Sequence, residues 1–142
     1  MDSTSAALVT AVTFLWLGMV LAISFLEAPL KFRAPGVTVP VGLGIGRLVF
    51  RALNVVEVVL ALVVVTALAT GGASVTAGVS ATAAAAVLVV QLAVVRPRLS
   101  RRSDRVLAGE SLPRSHAHLV YVACEVAKVA ALLVLGCGVL AA

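Results

Sequence analysis

Charge is what this chain has least of. Only 12% of its 142 residues are Asp, Glu, Lys or Arg, while 62% are hydrophobic and the mean hydropathy is +1.18. Soluble domains carry about 25% charged and 45–50% apolar residues, so this chain has too little polar side chain to cover a water-exposed surface. Acidic residues number six against eleven Lys and Arg, a net charge of +5. In a soluble protein that excess would suggest nucleic acid. Here the basic residues fall between apolar runs, which excludes that partner. Aromatics make up only 4%, so the apolar mass is Val, Leu and Ala.

Cysteine is confined to Cys124 and Cys137, and no CxxC occurs. Thioredoxin-like and zinc-ribbon chemistry are thereby excluded, and both thiols are expected to be buried and inert. No basic residue precedes Lys31 and Asp2 is the sole charge before Glu27, so a cleaved signal peptide is not expected. HExxH, a P-loop and an ordered Ser/His/Asp set are all missing, which leaves enzyme chemistry without an anchor. No catalytic residue, cofactor or metal ligand is assigned. His116 and His118 form an HxH pair, but residues two apart on a helix point about 200° apart, so they would share an ion only ahead of a helix.

What is present are long uncharged runs. Ser3–Leu26 and Ser74–Val95 contain no charge at all, and about 20 such residues at 1.5 Å rise cross a ~30 Å hydrocarbon core. The pattern predicts an all-α, single-domain membrane protein, a four-helix antiparallel up-down bundle. The expected helices are 4–27, 45–70, 74–95 and 115–141, with a basic loop at 96–114. Pro29, Pro35 and Pro40, interleaved with Gly36, Gly42, Gly44 and Gly46, argue for a broken interfacial connection between the first two helices. The GLGIG run within it is not GxGxxG, because its third glycine comes one residue early. Gly78, Thr82 and Ala86, at four-residue spacing, are expected to form a close-packing seam on the third helix. Trp16, near the middle of the first, is expected to pack against another helix rather than anchor at an interface.

Lys31, Arg33, Arg47 and Arg51 flank the first connection, and Arg96, Arg98, Arg101, Arg102, Arg105 and Arg114 lie in the third. Both termini and the second connection have none. The positive-inside bias therefore places the termini outside and the two basic connections in the cytoplasm, with a bacterial inner membrane as the expected location. Anionic lipid is an expected partner of the basic connections. Four short helices enclose little volume, so a homo-oligomer or a partner membrane protein is also expected.

The few charges inside the runs share faces. Arg47, Arg51, Asn54 and Glu57 line one face of the second helix, and Arg114, His118, Tyr121, Glu125 and Lys128 one face of the fourth. Glu27 lies with Ser24 and Lys31 at the basic end of the first helix, and the third offers Gln91. Facing lipid, Glu57, Glu125 and Lys128 would together cost on the order of 8–10 kcal/mol, so they must face one another or a water-filled cavity. Two readings follow for the set Glu27, Arg51, Asn54, Glu57, Gln91, His118, Tyr121, Glu125 and Lys128. One is a salt-bridge network that fixes helix rotation, with Lys128 between Glu57 and Glu125. The other is a cavity with a proton-exchanging carboxylate, as in a small permease-like transporter. A structural or accessory subunit is the competing function.

Across Trp16, Gly18, Phe25, Ala28, Pro29, Phe32, Gly46, Phe50 and Asn54 the chain resembles the small bacterial membrane proteins that share a domain with animal transmembrane protein 205. Arg96, Pro97 and His118 match that family's stop after helix three and its histidine opening helix four. The run LVYVACEVAK departs from the family's small-polar pattern there. The resemblance implies a four-helix membrane bundle and no particular reaction.

Overall fold

The computed structural model describes residues 1–113 and 116–142. Arg114, expected in the polar stripe, and Ser115, expected to open the last helix, lie outside the described residues. Four helices account for most of the chain: α1 Ser3–Arg33, α2 Val39–Gly71, α3 Val75–Leu107 and α4 His116–Leu140. By length and composition all four could cross a membrane.

Each start has a local cause. The Asp2 carboxylate accepts the Ser5 backbone N–H at 2.9 Å, which holds its pKa below the ordinary value of 3.8. That cap is formed above the ordinary carboxylate range and is lost as pH falls through the lowered value. Thr38 and Ser74 cap α2 and α3 through Val41 N–H and Ala77 N–H, and Pro40 sits in the first turn of α2, where its missing N–H costs nothing. Gly72, at φ +72°, ends α2 in the left-handed region.

Two helices run further than their prolines suggest. α1 continues through Pro29 to Arg33, and α3 continues through Pro97 to Leu107. The connection between α1 and α2 is therefore only 34–38, not the whole 28–46 stretch, and most of the expected basic loop is helix. The cause is the same in both places. A π-helical turn, Leu21–Glu27 or Gln91–Val95, lies immediately ahead of each proline. The residues next to the prolines, Ala28 and Arg96, donate to carbonyls five residues back, Ile23 O and Gln91 O. The widened turn relieves the clash of the proline ring with the preceding turn and absorbs its missing donor. The extra residue also rotates everything beyond it, so the expected common face of Ser24, Glu27 and Lys31 is not a simple α-helical face.

The helices close a ring in which α1 packs on α2 and α4, and α3 on α4 and α2. Val9, Val64, Leu68, Ala77, Ala81, Leu135 and Val139 meet in one core layer. They come from the start of α1 and α3 and the end of α2 and α4, which makes neighbours antiparallel. A second layer, Trp16, Val20, Leu60, Ala84, Leu88 and Leu132, lies nearer the middle. The termini thus share one end with the α2–α3 turn, and the basic connections share the other. At that basic end Arg47 pairs with Asp104, Arg105 with Glu110 at 2.7 Å, and Arg102 donates to the carbonyls of Leu112 and Pro113.

Two packing expectations are corrected. The buried small residues of α3 are Ala77, Ser80, Ala81 and Ala84, whereas Thr82 and Ala86 face outward and Gly78 is half-buried. Thr82 satisfies its hydroxyl on Gly78 O within its own helix, so it can face outward at little cost. Cys124 is half-buried and Cys137 exposed, both as free thiols, because α4 turns its Glu125/Lys128/Leu132/Leu135 stripe to the core and the cysteines lie off it.

α1 and α4 touch most closely where Gly136 meets Phe14, since a Cβ there would lie 2.8 Å from the ring. Gly136→Leu should therefore cost about 1–3 kcal/mol by overpacking. Gly138→Ala, with its nearest neighbour 4.0 Å away, should cost little. Thermal melts of both variants in detergent check the pair, and equal melting temperatures would contradict the close approach.

Candidate functional site

Between the apolar layers and the basic end lies a knot of charge. Lys128 Nζ donates to Gln91 Oε1 at 2.8 Å and Glu125 Oε1 at 3.0 Å, and forms an ion pair with Glu57 Oε1 at 2.5 Å. Gln91 closes the loop by donating Nε2–H to Glu125 Oε1 at 2.5 Å, and Trp16 donates its indole N–H to Glu57 Oε1 at 2.9 Å. One residue or more from every helix takes part: Trp16 from α1, Glu57 from α2, Gln91 from α3, Glu125 and Lys128 from α4. Exposure is 0% for Glu57 and Lys128, 1% for Glu125 and 2% for Gln91.

The bonding is lopsided. Glu125 Oε1 takes two donors, and Glu57 Oε1 takes one donor and the Lys128 ion pair, while Glu57 Oε2 and Glu125 Oε2 are buried with no hydrogen-bond partner among the described residues. With every group ionised, two carboxylates and one ammonium carry a net charge of −1. Burying that uncompensated charge is costly, and a single proton on a bare Oε2 removes it.

A cleft of about 520 Å³ lies on the basic side of this knot. Its walls include Phe25, Phe32, Phe50, Leu43, Leu99 and Val122; Lys31, Arg47, Arg96 and His118 bring positive or titratable groups; and Tyr121 and Glu125 also line it. Lys31 Nζ sits 5.5 Å from the Phe50 ring centroid and 5.6 Å from that of Phe32, and Phe50 meets Tyr121 edge to face at 5.5 Å. Gly46 makes room for this arrangement, since a Cβ there would approach Lys31 Nζ to 3.1 Å. The Tyr121 hydroxyl and Ser24 Oγ are buried beside each other, without a well-formed hydrogen bond among the described residues.

Of the residues singled out from sequence, Glu57, Gln91, Glu125 and Lys128 come together in the knot, and Tyr121 and His118 line the cleft. The other three are placed elsewhere. Glu27 pairs with Lys31 at 3.2 Å near the basic end. Arg51 is exposed, and Asn54 is buried but makes no side-chain hydrogen bond among the described residues. Arg51 and Glu57 are six positions apart, a turn and two-thirds, so the stripe drifts and Arg51 points away from the axis. His116 and His118 fall within the first turn of α4, and both line a second cavity with Leu43, Leu99 and Arg102.

Sequence reasoning did not assign Trp16 and Arg96 to the site. A lone tryptophan in mid-span was a usable signal, because a buried indole N–H needs an acceptor. Arg96 was read as the start of a loop, and only continuation of α3 through Pro97 turns it into the cleft.

Comparison with protein-family models, with characterised proteins and with solved structures gives no match. The fold and site define an all-helical bundle with four helices fit to span a membrane, built around a buried charge cluster.

Removing one partner from such a cluster leaves the others uncompensated. Lys128→Met should destabilise the protein by about 3–5 kcal/mol. Combining it with Glu57→Gln and Glu125→Gln should restore most of that loss, because no net charge is then left inside. Denaturant titration of both proteins in mixed micelles decides this, and a triple variant as unstable as Lys128→Met would refute the charge argument.

Proposed function

We propose that the protein is a small permease-like transporter of the bacterial inner membrane, or a subunit of one, whose buried carboxylates bind and release a proton. The single observation that carries this is Glu125. Its Oε1 is tied into the four-helix knot, its Oε2 is bare, and the same side chain lines a cleft leading to the basic end. A network that served only to fix helix rotation needs no such path.

The groups around the exchanging proton are known from each helix: Lys128, Tyr121 and His118 on α4, Glu57 on α2, Gln91 and Arg96 on α3, and Trp16 and Lys31 on α1. Loading a proton on Glu57 or Glu125 weakens its hold on Lys128. Since Lys128 joins α2, α3 and α4, helix packing and cluster charge are coupled. The apolar layers on the terminal side close the other half of the bundle, so release there requires a second arrangement of the helices. The two proline-associated π-helical turns, in α1 and α3, are the places where a helix can change its rotation at least cost. In this reading the basic end faces the cytoplasm, as the positive-inside bias directs. The short motifs shared with the transmembrane protein 205-like domain agree with the same architecture.

A competing role as an accessory subunit draws on the helical extension Arg96–Leu107, where Arg98, Arg101 and Arg105 are exposed. Near a membrane surface such residues contribute about 1 kcal/mol each toward anionic lipid. That reading predicts copurification with a larger complex and no transport by the isolated protein.

Trp16 is the only tryptophan and donates to Glu57, so it reports on the cluster directly. Its emission should change with pH in the wild type and lose that change in Glu57→Gln. Proteoliposomes with an imposed proton gradient should acidify or alkalinise only with wild-type protein. Flux that is unchanged in Glu57→Gln and Glu125→Gln would rule out the coupling role.

A further inference from the structure

We infer that the cleft is a binding site for a small oxyanion carried on an apolar body, a carboxylate of the hexanoate or benzoate kind, with Arg96 as the group that holds its head. This deepens the permease reading and rests on it for the sense of the coupling, though not for binding itself.

The argument starts from unmatched charge. Among Lys31, Arg47 and Arg96, which all line the cleft, Lys31 is paired with Glu27 and Arg47 with Asp104. Arg96, half-buried, makes no salt bridge among the described residues, and Glu57 is the acid in its field. A guanidinium drawn that far from water without a direct carboxylate contact is poorly satisfied, and its planar fork of donors matches a carboxylate. Two further donors point to the same ligand. The Tyr121 hydroxyl, on a residue only 7% exposed, and the buried Ser24 Oγ lie beside each other, and neither makes a well-formed hydrogen bond among the described residues. Both residues line the cleft with Arg96. An oxyanion head held by Arg96 could accept from these hydroxyls as well.

The body of the ligand follows from the walls. Phe25, Phe32, Phe50, Leu43, Leu99 and Val122 make most of the wall apolar, which suits an aliphatic chain or one aromatic ring, with Ser100, Ser103 and the charged groups as its polar points. A cleft of about 520 Å³ is within the roughly 300–1,000 Å³ range of small-molecule sites.

Glu125 supplies the coupling. It lines the same cleft, so in its ionised form it repels an anionic head, and in its protonated form it does not. Anion binding and proton loading of the cluster therefore favour each other, and by linkage the effect is reciprocal. Lys128, Glu57 and Gln91 behind Glu125, and Tyr121, Arg96, Lys31, Arg47 and His118 in front of it, set the field in which this happens. A site that takes up a proton with its anion is suited to symport of the two.

The test is equilibrium binding to the full-length protein in phosphatidylcholine nanodiscs, with no gradient present. Hexanoate and benzoate should bind and hexylamine should not. Arg96→Gln should weaken hexanoate at least tenfold and Tyr121→Phe several-fold, with Arg105→Gln, which lies outside the cleft, unchanged. In a His118→Gln background, binding should tighten as pH falls, and Glu125→Gln should flatten that dependence. Equal binding of hexylamine, or full affinity in a folded Arg96→Gln or Tyr121→Phe protein, would overturn the assignment. Loss of hexanoate binding in phosphatidylglycerol nanodiscs would show that a lipid headgroup is the occupant and would also overturn it. Binding as expected without flux in proteoliposomes would keep the site and remove the permease reading, so the two fail separately.

Discussion

The rest of the bundle depends on a single ammonium group. Lys128 cannot sit in an apolar interior alone, and its ammonium meets Glu57, Gln91 and Glu125 on three different helices. Trp16 brings in the fourth through Glu57. Between helices in a bilayer there is little hydrophobic driving force, because lipid tails are as apolar as leucine. Directional polar contacts then decide which faces meet. A rotation of any one helix by a turn's fraction would strand a charge at a cost of several kcal/mol, whereas the Val, Leu and Ala around it could repack with little penalty.

That constraint explains the layering. The apolar layers of the terminal half need only shape, and they are met by small residues of α3 against larger ones of α1, α2 and α4. The basic half is looser, held by ion pairs at its rim and opened by Gly42 and Gly46, whose missing side chains admit Phe32 and Lys31. The cleft is where the polar requirements of the knot and the packing of the apolar layers cease to be satisfied together.

Much of the fold was legible. Long apolar runs announce four helices fit to span a membrane, and Glu57, Glu125 and Lys128 were expected to meet because facing lipid would be costly. Less legible was anything that depends on helix phase. Pro29 and Pro97 read as breaks, since a proline in an α-helix loses a hydrogen bond. The π-helical turns that accommodate them have no signature in residue type. The consequence reached the site. Arg96 moved from loop to cleft, while on α2, which has no such turn, Arg51 turned outward because its stripe drifts around the helix.

Composition by itself determined that four helices are long and apolar enough to cross a membrane, because the free energy of placing apolar or charged groups in lipid is a property of each residue summed along a run. The run from Ser24 to Glu57 illustrates the boundary. Its sequence announced a bend rich in proline and glycine and an acid at its far end. Only the tertiary structure decided that the bend shrinks to five residues, 34–38, and that Glu57 meets Lys128 through one oxygen and leaves the other bare. Such outcomes depend on the relative rotation and depth of helices that are distant in the chain, and no local pattern encodes those.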